Sequence, residues 1–162
     1  MRYTRDNDQA MDVVQEGFVK VFSNLERYTG VGSFEGWVRR IMVNLSIDRF
    51  RKLRHDFLLL GDNQSVEDWE DETEEKEEDQ EMDAIYDIRP EQIVDAMQQL
   101  SPAYRTVFNL YVYESYTHQD IAEALGISVG TSKSNYAKAR KNIRKLLLKD
   151  LKKTNEQNFN TI

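Results

Sequence analysis

Residues 117–148 read THQDIAEALGISVGTSKSNYAKARKNIRKLLL. Thr117 is a good N-cap residue, and Asp120, three positions on, is placed to reach back to it as a capping-box acid. Ile121, Ala122 and Leu125 recur at helical spacing and mark one buried face. Gly126 follows the last of them and can take the left-handed conformation that stops a helix. Ser128 then caps a second helix, along which Val129, Ser132, Tyr136, Ala139, Ile143 and Leu146 recur at spacings of three and four. Thr131, Lys133, Ser134, Asn135, Lys138, Lys141 and Lys145 fall on the opposite face. A short helix, a glycine-centred turn and a longer helix that is apolar behind and basic in front make a helix-turn-helix, which lays its second helix in the DNA major groove.

The whole chain sets bounds around this unit. At 162 residues it is one ordinary domain or two small ones. No apolar run is long enough to cross a bilayer, so no membrane insertion is expected, and the N-terminus has no signal pattern. The absence of cysteine excludes disulfides and thiolate zinc sites and fits a reducing, cytoplasmic setting. His55 and His118 lie far apart without ligand partners, so no metal site is read. No glycine-rich phosphate loop or anchored acid–base pair is present. No catalytic residue, no cofactor and no enzymatic activity are therefore expected.

The net charge of -7 argues at first against a nucleic-acid partner, but its distribution reverses that. Residues 1–56 carry 10 basic and 8 acidic side chains, 57–91 carry 2 and 15, and 92–162 carry 10 and 6. Two mildly basic ends flank one intensely acidic segment.

Upstream of the helix-turn-helix, Pro90 favours a helix start, with Ile93, Val94, Met97 and Leu100 on its inner face. Ser101-Pro102 opens another helix, with Tyr104, Val107, Phe108, Tyr111 and Val112 as its stripe. Four helices over 91–150 make a small domain near the lower size limit for independent folding. The tail, 151–162, lacks periodicity and is read as frayed and disordered. Residues 57–90 form a linker in which 57–60, FLLL, can pack back on the first domain. Its run EDWEDETEEKEEDQE at 67–81 repels itself too strongly to fold and is read as a flexible tether.

The first domain, 1–56, reads as two long helices. Asn7 or Asp8 caps the first, which reaches to about Tyr28. Ala10, Val13, Val14, Gly17, Phe18, Val21, Phe22 and Leu25 form its inner face, and Asp12, Gln15, Glu16, Val19 and Lys20 lie outside. Taken alone, that outer face is a solvated surface. Gly30 and Gly32 break the chain, and Ser33 caps a second helix from Phe34 to about His55. Phe34, Trp37, Val38, Ile41, Leu45 and Phe50 supply its buried stripe. Arg39, Arg40, Arg49, Arg51, Lys52 and Arg54 exceed what a helix dipole needs and point to phosphate. Two helices bury little surface, which points to a further helix ahead of Met1.

Two stretches carry a resemblance. DQAMDVVQEGFVKVFSNLERY followed by GSFEGWVRRIMVNLSIDRFRK is similar to the core-binding and promoter-melting domain of bacterial sigma factors. IVDAMQQLSPAYRTVFNLYVYESYTHQDIAEALGISVGTSKSNYAKARKNIRKLL is similar to their C-terminal domain. With only a short linker between them, the chain resembles the extracytoplasmic-function (ECF) subgroup of the sigma-70 family. The resemblance implies an all-α fold of two helical domains, with core RNA polymerase, promoter DNA and an anti-sigma factor as partners. It also implies that the chain directs promoter recognition and transcription initiation. Asp12, Gln15 and Phe18 match polymerase-binding positions. The loop 29–33 matches the segment that captures a flipped base of the minus-ten element. Asn44, Arg49, Arg51 and Lys52 match the helix on promoter DNA, with Asp48 a structural partner for one of the arginines. Thr131, Lys133, Ser134, Asn135 and Lys138 fall where the recognition helix meets the minus-thirty-five element.

The chain departs from the family at three points. The family begins with an additional helix ahead of the position of Met1. Ser132 stands where an apolar residue is usual, and its hydroxyl is expected to bond back to the preceding turn. Asn135 replaces a common basic residue and can read adenine. His118 is read as a surface or capping position. In the subgroup the linker threads toward the RNA path, where its carboxylates can stand in for RNA phosphates or shield the basic faces of the free protein. The competing reading is a stand-alone helix-turn-helix regulator that binds DNA without polymerase.

Overall fold

Asp6 opens the first helix, its carboxylate accepting from the Gln9 backbone N–H at 2.8 Å. It is Asp6, one residue before the expected caps, that meets the orphan amides of the first turn. The computed structural model describes residues 2–4, 6–60 and 89–159, with side chains described within 2–4, 6–55 and 89–150. Among these residues lie six α-helices, a 3-10 turn and no strand. α1 spans Asn7–Ser23, and the 3-10 turn spans Leu25–Arg27. α1 ends before the expected Tyr28 because the Asn24 side chain caps the Lys20 carbonyl at 2.8 Å.

α1 carries two apolar stripes. Ala10, Val13, Gly17 and Val21 are buried. Gly17 marks the closest approach to α2 (Phe34–Leu60), since a Cβ there would collide with the Met42 thioether. Val14, Phe18, Phe22 and Leu25, assigned from periodicity to the inner face, are instead exposed, with Phe22 at 70 %. One neighbouring helix covers one stripe, and the second stripe has no described cover.

α2 departs from expectation in a related way. Phe34 is exposed, and Trp37, Val38 and Ile41 are only half-buried. The fully buried residues are Val43, Leu45, Ser46, Ile47 and Phe50. Val43, Ile47 and Phe50 join a core cluster with Ala103, Val107, Leu110, Ile121 and Leu125 of the C-terminal half. The helix therefore serves as a wall shared by both halves, which a single-stripe reading does not anticipate.

The C-terminal half contains α3 (Pro90–Gln98), α4 (Pro102–Val112), α5 (His118–Leu125) and α6 (Val129–Phe159). Prolines start α3 and α4, and the Ser101 hydroxyl caps α4 by accepting from the Tyr104 amide at 3.4 Å. Arg105 is buried and donates to the carbonyls of Met97, Gln98 and Leu100 at 3.0, 2.7 and 2.7 Å. It thereby satisfies the open end of α3 and fixes the α3–α4 corner. Ala96, Met97 and Leu100 pack against Ala139, Ile143 and Leu147 of α6. The backbone of α6 stays helical to Phe159, further than the end expected after Leu151. The acidic run at 67–81 lies outside the described residues, as do the side chains at 57–60.

Candidate nucleic-acid interface

The helix-turn-helix forms through local chemistry. The Thr117 hydroxyl accepts from the Asp120 amide at 3.1 Å, and the Asp120 carboxylate accepts from the Thr117 amide at 2.9 Å and its hydroxyl at 2.6 Å. These bonds from Thr117 hold the Asp120 carboxyl below its ordinary pKa. Gly126 ends α5 with φ of 67°. Ser128 accepts from the Thr131 amide at 2.9 Å and shares a second hydrogen bond with the Thr131 hydroxyl, opening α6.

The faces of α6 are rotated from the expected pattern. Lys133, Arg140, Lys141 and Lys145 are exposed. Ser134 and Lys138 are half-buried. Thr131 and Asn135, placed by periodicity on the outer face, are only 6 % and 2 % exposed. Ser132 is fully buried, and its hydroxyl does not return to the preceding turn. It lies 3.0 Å from His118 Nδ1 on the neighbouring helix. His118 is thus a half-buried joint between α5 and α6. Its ring stacks on Tyr111 at 4.6 Å and meets Tyr136 edge-on at 5.7 Å. Burial first, and then the nearby Lys133 cation, lower its pKa.

The first domain offers a cleft between the end of α1 and the start of α2. Lys20, Asn24 and Arg27 face Trp37, Ile41, Asn44 and Leu45 across about 280 Å³. The two sides share a spacing, with Lys20, Asn24 and Arg27 at i, i+4 and i+7, as are Trp37, Ile41 and Asn44. Reading each helix alone missed Lys20, Asn24 and Arg27, because the last two lie beyond the end of α1, in its cap and the 3-10 turn. Trp37 was read as core and instead lines this cleft. Beside it, Tyr28, Phe34 and Trp37 form a ring triad with centroids 5.4, 5.4 and 5.8 Å apart. The Tyr28 hydroxyl donates to the Gly32 carbonyl at 2.9 Å and ties down the loop 29–33. Gly30 and Gly32 take φ of 75° and 79°, and Val31 projects from the tip. Cations, amides and an aromatic plane around one small cleft suit a planar base with its phosphate.

The remaining assigned residues are distributed as follows. Asn44 is exposed at the cleft, and Lys52 is exposed further along α2. Arg49 pairs with Glu16 of α1 at 2.9 Å, so Glu16 supplies the carboxylate expected of Asp48. Arg51 Nη2 donates to the Glu123 carbonyl at 3.3 Å. Asp12, Gln15 and Phe18 are exposed on α1, apart from the contact with the C-terminal half. Among the described residues no group of acids and histidines is arranged to hold a metal, and no helix is long and apolar enough to cross a membrane.

Comparisons with known proteins converge on this layout. Residues 1–55 match the model of sigma-70 region 2, and residues 91–143 match that of sigma-70 region 4. The ECF RNA polymerase sigma factor SigE of Mycolicibacterium smegmatis is 30% identical over 94% of this chain, which spans 57% of that relative's length. The ECF RNA polymerase sigma-E factor of Haemophilus influenzae is 30% identical, with 88% of this chain and 76% of the relative covered. The fold resembles the sigma factor RpoE, solved in complex with the anti-sigma factor NepR from Bartonella quintana. That match has a TM-score of 0.50 and 19% identity, covering 90% of this chain and 85% of the other. The chain belongs to the sigma-70 family, as an RNA polymerase sigma factor of the ECF type.

Proposed function

We propose that the chain is a dissociable subunit of RNA polymerase that selects promoters through two DNA contacts and opens them through the first. The observation that carries this reading is the aromatic-walled cleft beside the loop 29–33. A regulator that binds closed duplex has no use for a site shaped to hold an extruded base. A polymerase subunit that nucleates melting does, because stacking and hydrogen bonding offset the few kcal/mol, roughly, of unpairing. Trp37 supplies the stacking surface, Asn24 and Asn44 the amides, and Lys20 and Arg27 the phosphate attraction.

α1 presents Asp12, Gln15 and Phe18 to the polymerase core, and the uncovered apolar stripe beside them suits a protein partner. Asn44, Arg49, Arg51 and Lys52 on α2 follow the promoter backbone upstream of the captured base. α6 enters the major groove at the upstream element with Lys133 foremost and Ser134 and Lys138 beside it, while the buried Thr131 and Asn135 position the helix. An anti-sigma protein is the expected regulator, since the Bartonella relative was solved in complex with one. The chemistry requires no cofactor and acts in the compartment that holds the chromosome.

Run-off transcription with purified core polymerase and a promoter library tests the reading. Transcripts that begin at discrete promoters only when the chain is added are expected. A chain that footprints an operator without polymerase, and adds nothing to initiation, would establish the stand-alone regulator instead.

A further inference from the structure

Glu16 stands where α1 and α2 pass closest. A Cβ on its neighbour Gly17 would collide with the Met42 thioether, so the backbone here is held at the seam between the two helices. The two carboxylate oxygens of Glu16 go to two different cations. Oε1 lies 3.8 Å from Lys20 Nζ, one turn further along α1. Oε2 accepts from Arg49 of α2, at 2.9 Å from Nη2 and 3.3 Å from Nε. Both cations belong to surfaces assigned to DNA. Lys20 lines the cleft, and Arg49 lies on the helix assigned to the promoter backbone.

The bridge does little for the fold. All three side chains are more than a third exposed, at 43 % for Lys20, 44 % for Glu16 and 36 % for Arg49. Ion pairs this open are screened and contribute little to stability. What the bridge achieves is to gather a lysine and an arginine from two helices around one small anion. A phosphodiester is an anion of the same kind. It carries one negative charge on two non-bridging oxygens, as a carboxylate does, and a guanidinium fork binds either.

We propose that Lys20 and Arg49 form one phosphate seat for the captured strand, and that the Glu16 carboxylate occupies this seat until the strand displaces it. The phosphate it takes is the one that joins the flipped base in the cleft to the backbone along α2. Capture then exchanges one anion for another around cations already in place, and Glu16 sets how readily a single strand enters. This rests on the promoter-recognition reading, although the seat itself can be measured without polymerase.

Fluorescence anisotropy of a short fluorescein-labelled single-stranded DNA, titrated with the full free chain, tests the seat. Glu16→Asp keeps the charge and shortens the reach by a methylene, so simple electrostatics predicts no change in affinity. The seat predicts a rise, by up to about five-fold if wild-type Glu16 vacates it in one chain in five. Glu16→Gln should give a rise at least as large. Glu26→Gln removes the same charge from an exposed side chain that makes no ion pair among the described residues, and should give only the small rise that net charge brings. Arg49→Gln should lower the affinity and abolish the gain from Glu16→Asp, the non-additivity of side chains that share one site. The corresponding duplex should show no such gain. Unchanged single-strand affinity in Glu16→Asp, a gain that survives Arg49→Gln, or an equal gain on the duplex overturns the seat. A wild-type chain that directs no run-off transcription with core overturns the promoter-recognition reading instead, and the strand affinities of the free chain still decide the seat.

Discussion

His118 shows how one side chain can link packing to pH. It packs against the touching rings of Tyr111 and Tyr136 and is bonded to the buried Ser132. Its folded pKa lies below the ordinary value near 6.5, through burial and then Lys133. The unfolded chain therefore takes up the proton first as pH falls. The stability this site contributes is complete above the ordinary value and is lost as pH drops through the lowered one. The melting temperature should accordingly fall between about pH 7 and pH 5. His118→Gln, which keeps a polar partner for Ser132, should flatten that part of the profile. Asp120 adds a separate loss at lower pH, because its carboxyl is held below the ordinary range by Thr117 and protonation breaks the capping box. A scan of melting temperature against pH resolves the two, and an unchanged slope above pH 5 in His118→Gln would remove the histidine from the account.

Among the elements, α1 and α6 each carry a face whose substitution should be felt by one partner and not by the fold. Phe18 is 46 % exposed, so Phe18→Ala removes little from the folded core. Core-polymerase affinity should drop about ten-fold, as for a central aromatic contact, with the melting temperature held. Lys133→Ala should weaken promoter binding evenly across sequences and reduce the salt slope by about 1, the signature of one lost phosphate contact. Titrations at several salt concentrations check this, and a sequence-dependent loss would mark Lys133 as a base reader instead. The helix-turn-helix was legible in the sequence because its signals are local. Thr117, Asp120, Gly126 and Ser128 each act within four residues and occupy the roles their chemistry suggests. The faces of α1 and α2 were less legible, because each has two apolar stripes. Periodicity shows that Phe22 and Val21 are apolar but not which one finds a neighbour. The cleft was missed for a related reason, since it exists only where Lys20 and Trp37 approach across two helices. Ser132 was correctly singled out as odd, but its partner His118 lies 14 residues away on another helix.

For the whole molecule, the shared core changes how stability is distributed. Val43, Ile47 and Phe50 belong in sequence to the first half and in packing to the second. The two halves should therefore unfold in a single calorimetric transition despite the long segment that joins them. Phe50 is 4% exposed, and Phe50→Ala should split that transition in two and cost up to about 3 kcal/mol, the lower end for a core aromatic. Two transitions already present in the wild type would refute the coupling. The shared wall has a consequence for sequence variation as well. One side of α2 answers to α1, another to the helix-turn-helix, and the polar remainder, on the proposed function, to nucleic acid. Few of its positions are free to drift, and a change tolerated by one neighbour is screened again by the others. α2 should therefore be the slowest-changing of the described helices, with variation displaced to the exposed positions of the others.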